Sequence, residues 1–184
     1  MKRTTPGRLV LAAGLLVAIA ACSPVFNWRD VRLGDSGLVA LLPCKPDHAT
    51  RDVVLGGDQV AMQMDGCEAG GATFTMAYVV ARDATQAADW QAAWKTTMSA
   101  RLQAQAPVES AIDVRGAANT PAPVQLAIRG GDATDPGVPA RAWWFAQASN
   151  ASRPGEVTLY QAVVLGQTSE PDAADTFFES LRLP

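Results

Sequence analysis

The chain has 184 residues, 48% of them hydrophobic, with 15 Lys and Arg against 18 Asp and Glu and a formal charge of −3. That length suits one domain with a real core. The acidic balance, with no Lys/Arg cluster in the body of the chain, argues against a nucleic-acid binder and against electrostatic docking on anionic lipid.

The first 21 residues stand apart. Lys2, Arg3 and Arg8 give a basic start, and Leu9 to Ala21 carry no charge. An apolar run of that length falls short of the roughly 20 residues a spanning helix needs. It matches the apolar segment of a secretory signal. Ala18-Ile19-Ala20 could serve as an ordinary cleavage site, so a plain secretory signal is one reading. The other follows from Ile19-Ala20-Ala21-Cys22: a branched apolar residue, two small residues and a cysteine. This stretch resembles the lipobox of bacterial lipoproteins. The resemblance implies that Cys22 takes a diacylglyceryl group on its thiol, that the chain is cut before it, and that the new amine is acylated. Two or three acyl chains hold a protein firmly, since each buried CH₂ contributes about 0.8 kcal/mol. It also implies a protein tethered to the membrane of the cell envelope and facing the periplasm. With Ser23 rather than Asp in the second mature position, it favours the outer membrane over the inner. The expected organisation is a signal peptide over 1–21, a lipidated cysteine with a short tether over 22–27, and one globular domain over 28–184. Removing the signal leaves 12 basic against 18 acidic side chains, a formal charge of −6.

Three cysteines would leave one unpaired in an exported protein. Assigning Cys22 to lipid leaves Cys44 and Cys67, and an oxidising compartment favours a bridge between them. Such a loop contributes about 3 kcal/mol in the chain-entropy account. A redox pair and a metal site with His48 are the alternatives. Structural zinc takes four protein ligands and catalytic zinc three, and the chain has no second histidine. No metal and no cofactor is therefore expected.

Trp28 to Leu33 alternates apolar and polar residues, as a half-buried strand does. Gly34 to Gly37 turns it, and Leu38 to Leu42 returns as its hairpin partner. Pro43 and Pro46 end the pair, which leaves His48 in a turn. Val53 to Leu55, the turn at Gly56-Gly57-Asp58 and Gln59 to Met64 form a second hairpin. Gly66 to Gly71 is expected as a turn with Cys67 at a strand end. Thr73 to Ala81 is the clearest strand, with Phe74, Met76, Tyr78 and Val80 on one face.

Asp83 or Thr85 caps a long helix over about 84–105. Trp90, Trp94, Met98 and Leu102 recur at steps of four and form its apolar stripe. Ala111 to Arg115 is a short strand in this reading, and Val124 to Arg129 another. Gly130 to Gly137 is a solvated loop; its aspartates lack the ligand spacing of an EF-hand. Ala140 to Ala148 and Glu156 to Gly166 are paired strands. Asn150-Ala151-Ser152 matches a glycosylation sequon, to which the lipoprotein signal gives no role. Pro171 opens a closing helix, with Ser169 as its cap and Ala174, Phe177, Phe178 and Leu181 as its apolar face.

This order predicts an α+β fold: an antiparallel β-sheet with one long and one C-terminal helix packed on it. Leu41-Leu42-Pro43-Cys44-Lys45-Pro46 and Phe177-Phe178-Glu179-Ser180-Leu181-Arg182-Leu183 resemble stretches of PsbP/Mog1-like domains. That resemblance implies an α/β/α sandwich and an accessory or assembly role, and it carries over no functional residue.

No catalytic residue is expected. A Gly-x-Ser-x-Gly elbow, a phosphate-binding glycine loop and an H-E-x-x-H pair are all absent. A hydrolase would have to use His48. The expected function is a non-catalytic lipoprotein whose partners are the membrane, through the anchor, and an envelope protein. The alternative is a binding module for a small apolar or lipid ligand, suggested by the aromatic and methionine stripes.

Overall fold

The computed structural model describes residues 25–104, 107–129, 137–149 and 154–184. A two-stranded sheet pairs β1 (Arg29–Arg32) with β2 (Val39–Leu42). A seven-stranded sheet follows from β3 (Asp47–Leu55), β4 (Asp58–Ala69), β5 (Ala72–Ala81), β6 (Val108–Ala111), β7 (Val124–Ile128), β8 (Ala140–Ala148) and β9 (Val157–Gly166). Its order is β3-β4-β5-β9-β8-β7-β6, with every pair antiparallel. The helices are α1 (Ala84–Arg101) and α2 (Ala173–Glu179). The fold is α+β, as the element order predicts.

Strand alternation sorts the core into two. Phe74, Met76 and Tyr78 of β5 face one way, with Phe145, Tyr160, Ala162 and Val164; they are covered by α2 and the small sheet. Ala77, Val79 and Ala81 face the other way, with Leu126, Trp144 and Leu159, beneath α1. The helices thus lie on opposite faces of the large sheet. Val80 shares the face of Phe74 as expected but is 41% exposed, because it lies beyond the cover of α2.

Helix α1 starts where Asp83 Oδ1 accepts from the Gln86 amide at 2.8 Å. The Gln86 side chain reaches back to accept from the Arg82 amide at 2.9 Å. Trp90 and Trp94 are buried, whereas Met98 and Leu102 pack only partly. The helix ends at Arg101, a turn short of the expected end, with Leu102 as its C-cap and Gln103 in a positive-φ conformation. Asp58 Oδ2 accepts from Trp90 Nε1 at 3.0 Å and Gln86 Nε2 at 2.9 Å, tying α1 to the β3–β4 turn. Lys95 pairs with Glu109 at 2.9 Å, tying it to β6.

On the other face α2 is capped by Asp172 rather than Ser169, and Asp172 makes no side-chain capping bond. Phe177 stacks edge-on against Phe74 at 5.7 Å, and Phe178 lies over Trp143 at 4.8 Å. The Arg141 guanidinium sits 4.4 Å from the Phe178 ring. Its Nη2 is 2.7 Å from Asp175 Oδ1, outside hydrogen-bond geometry. Past α2, Ser180 Oγ accepts from the Leu41 amide at 2.8 Å, and Arg182 exchanges backbone bonds with Val39. The chain end therefore binds β2.

Several boundaries differ from expectation. Strand β3 begins at Asp47, and β4 runs through Gly66 and Cys67 to Ala69, so the turn is Gly70-Gly71 alone. The strand expected over 111–115 is instead Val108–Ala111. The glycan sequon and the Gly130–Pro136 part of the expected loop lie outside the described residues.

Gly70 has φ +57, and a Cβ there would lie 2.3 Å from Phe26 Cζ; Gly57 has φ +93 with nothing within 4 Å of a Cβ. Gly57→Ala carries backbone strain alone, about 1–2 kcal/mol. Gly70→Ala adds the clash with a buried ring, for a total of about 2–4 kcal/mol. Urea midpoints of the two variants should fall in that order.

Candidate functional site

The loop between β1 and β2 crosses the end of the large sheet where β5 finishes and β9 begins. It is fixed from below: Tyr160 Oη donates to the Ser36 carbonyl at 2.8 Å, and Ser36 Oγ donates to the Leu33 carbonyl at 2.6 Å. Between this loop and the strand ends lies an open cleft of about 790 Å³, lined by Asp35, Gln63, Tyr78, Gln147, Glu156 and Thr158 among others. Its walls are mostly polar. Gln63 and Tyr78 close it toward a second cleft of about 350 Å³, where Arg32, His48, Thr50 and Asp65 meet. Gly34 separates the two: a Cβ there would lie 2.8 Å from Gln63 Oε1 and 3.2 Å from Tyr78 Oη.

His48 does not sit in a turn. It lies in β3 directly opposite Asp65 of β4. Its Nδ1 is 2.7 Å from Asp65 Oδ1, and the ring nitrogen is the donor because a carboxylate only accepts. The imidazole is 71% exposed, whereas the Asp65 side chain is 6% exposed and its Oδ2 has no hydrogen-bond partner among the described residues. The pair has the His–Asp half of a hydrolytic triad. Among the described residues, no hydroxyl is hydrogen-bonded to His48, and no three His, Cys, Asp or Glu side chains cluster as metal ligands.

Both tyrosines are shifted. Burial pushes the Tyr78 phenol above its ordinary value, opposed by a bond from the Asp35 backbone and reinforced by the negative charges of Asp35 and Asp65. Burial pushes Tyr160 up to about 12, opposed by the side-chain hydroxyls of Ser36 and Thr158 and reinforced by Tyr78.

Cys44 and Cys67 are joined, with Cα atoms 5.9 Å apart. The bridge ties the connector after β2 to β4, so it fastens the small sheet to the large one. Cys22 and the lipobox lie outside the described residues. Among the described residues no helix is long and apolar enough to cross a membrane.

The His48–Asp65 pair is not evident from the local pattern around either residue. The signal was present in the hairpin turn. With Leu55 opposite Asp58, counting back along both strands puts His48 opposite Asp65. The cleft combines residues from the β1–β2 loop, β4, β5, β8 and β9, and no local pattern reveals that.

Comparisons with family models, with curated proteins and with solved structures find no match for this chain.

Two outcomes follow from the geometry. His48→Ala leaves a buried carboxylate without its donor and should lower stability by about 1–3 kcal/mol in urea titrations. His48→Gln should recover part of that loss, since its amide can donate. For Tyr160, a phenol whose folded pKa is raised favours the folded state fully below pH 10. That contribution is lost as pH climbs toward 12. Urea midpoints between pH 8 and 11.5 should fall for the native chain and fall less for Tyr160→Phe, which keeps only the Tyr78 share.

Proposed function

We propose that this protein is a lipid-anchored component of the bacterial cell envelope, held by Cys22, that binds or steadies another envelope protein and catalyses no reaction. The observation that carries this reading is the fate of the cysteines. The chain has three, and Cys44 and Cys67 are bonded to each other. Cys22 is then the single thiol left over, and it stands at the end of Ile19-Ala20-Ala21, where the lipobox requires it. A disulfide also suits an oxidising compartment.

The absence of a recognisable catalytic set in the sequence supports a binding role. So does the cleft: a polar, open surface built by five separate elements suits contact with a protein surface better than capture of an apolar molecule. The reading as a module for a small apolar or lipid ligand has less behind it. The residues that motivate it, Trp90, Trp94, Phe74 and Met76, are packed in the two cores.

The test is made in cells of the native host supplied with labelled palmitate. The native chain should carry label and Cys22→Ala should carry none; label on the variant would refute the anchor. Crosslinking of the same cells should recover one specific envelope protein with the acylated form. A crosslinking pattern with no specific partner would count against the interaction role.

A further inference from the structure

Resting on the anchor reading, we infer that the domain stands on its membrane in one orientation: the sheet end bearing the Gly70-Gly71 turn lies against the lipid headgroups, and the polar cleft faces away.

Phe26 is 9% exposed and belongs to the core. It stacks on Trp28 at 5.8 Å and meets Phe74 edge-on at 6.5 Å. The adjacent Asn27 amide donates to the Pro43 carbonyl at 2.7 Å. The body therefore begins at Phe26, ahead of the position expected from the sequence. From the Cys22 Cα to the Phe26 Cα are four peptide steps, which span at most about 14 Å when fully extended. The lipid thus sits within that distance of wherever Phe26 is pinned.

Phe26 is pinned at one end of the large sheet. Its ring lies so close to Gly70 that no side chain fits there. The Ser169 amide donates to the Gly70 carbonyl at 2.7 Å, and the Gly166 amide to the Pro139 carbonyl at 2.8 Å. These bonds gather the β4–β5 turn, the end of β9 and the start of β8 at the end where Phe26 is held. Of the exposed large apolar side chains, Val25, 62% exposed beside Phe26, and Val138, 47% exposed beside Pro139, belong to this end, and Val80, 41% exposed, to the other.

The cleft is at the other end. Strand β5 leaves the tethered end at Ala72, opposite Gly166, and reaches Ala81, opposite Val157. Ten strand residues cover about 30 Å. Val80, Gln147, Glu156 and Thr158 of the cleft all lie at that far end. A tether that can reach at most about 14 Å is too short to let the domain roll through half a turn and bring that end to the lipid. The formal charge of −6 outside the signal also gives an anionic surface no reason to pull the far end down.

The experiment uses the acylated protein in phosphatidylcholine vesicles that carry a nitroxide on their headgroups. Gln167→Cys places one fluorophore at the tethered end and Ala148→Cys places one at the far end; both sites are exposed. Quenching should be several-fold stronger at position 167 than at 148. A spacer of a dozen Gly and Ser residues inserted after Ser23 should keep acylation and flotation with the vesicles but erase the difference. Equal quenching at both sites in the acylated native chain, or stronger quenching at 148, overturns the orientation and leaves the anchor intact. An unmodified amino terminus by mass spectrometry, with no flotation, overturns the anchor and the orientation together.

Discussion

The pairing of β5 with β9 is the constraint on which the structure depends. Ten residues of each strand lie opposite one another, from Ala72 with Gly166 to Ala81 with Val157. Both faces of this pair are covered along most of its length, so its register decides which side chains enter which core. A slip of one residue would send Phe74, Met76 and Tyr78 under α1 and bring Ala77 and Val79 to the face that α2 covers. The bulk is unequal on the two faces of β5: large side chains meet the short helix and small sheet, and Ala and Val meet the tryptophans of α1. Only one register satisfies both.

Around that pair the fold manages its margins differently. Strand β3 is a nine-residue edge carrying Asp47, Arg51 and Asp52, charges that discourage another chain from adding to it. Strand β6, the other edge, has only four residues. The small sheet has too little apolar surface to stand alone. It is held by the disulfide at one side, by Ser180 and Arg182 at the other, and by the Tyr160 hydroxyl beneath its loop. The cleft exists because that loop is fastened above the strand ends at several points.

The strands with both faces buried were legible in the sequence, because runs such as Thr73 to Ala81 and Ala140 to Ala148 are apolar enough to stand out. The long helix was legible from its Trp stripe and its Asp83 cap. Strand β3 was not legible over its first half, because an exposed edge leaves Asp47, His48, Thr50, Arg51 and Asp52 in water and erases the alternation. Gly66 misled for a different reason. It reads as a turn residue, yet it sits inside β4 because a Cβ there would lie 2.7 Å from Thr75 Cγ2 of the neighbouring strand. The cysteine pair was legible by elimination. The His48–Asp65 pair needed the register, and the cleft needed the topology.

The span of chain between the two central strands has a consequence for how the protein is made. Closing Ala81 onto Val157 encloses residues 82–156. Contacts so distant in sequence form slowly, since the loop entropy must be met before they contribute. The middle of the sheet therefore stays open until the ribosome has supplied β9, through Gly166. Until then the two cores share no dividing wall, since β9 supplies one strand of the pair that separates them.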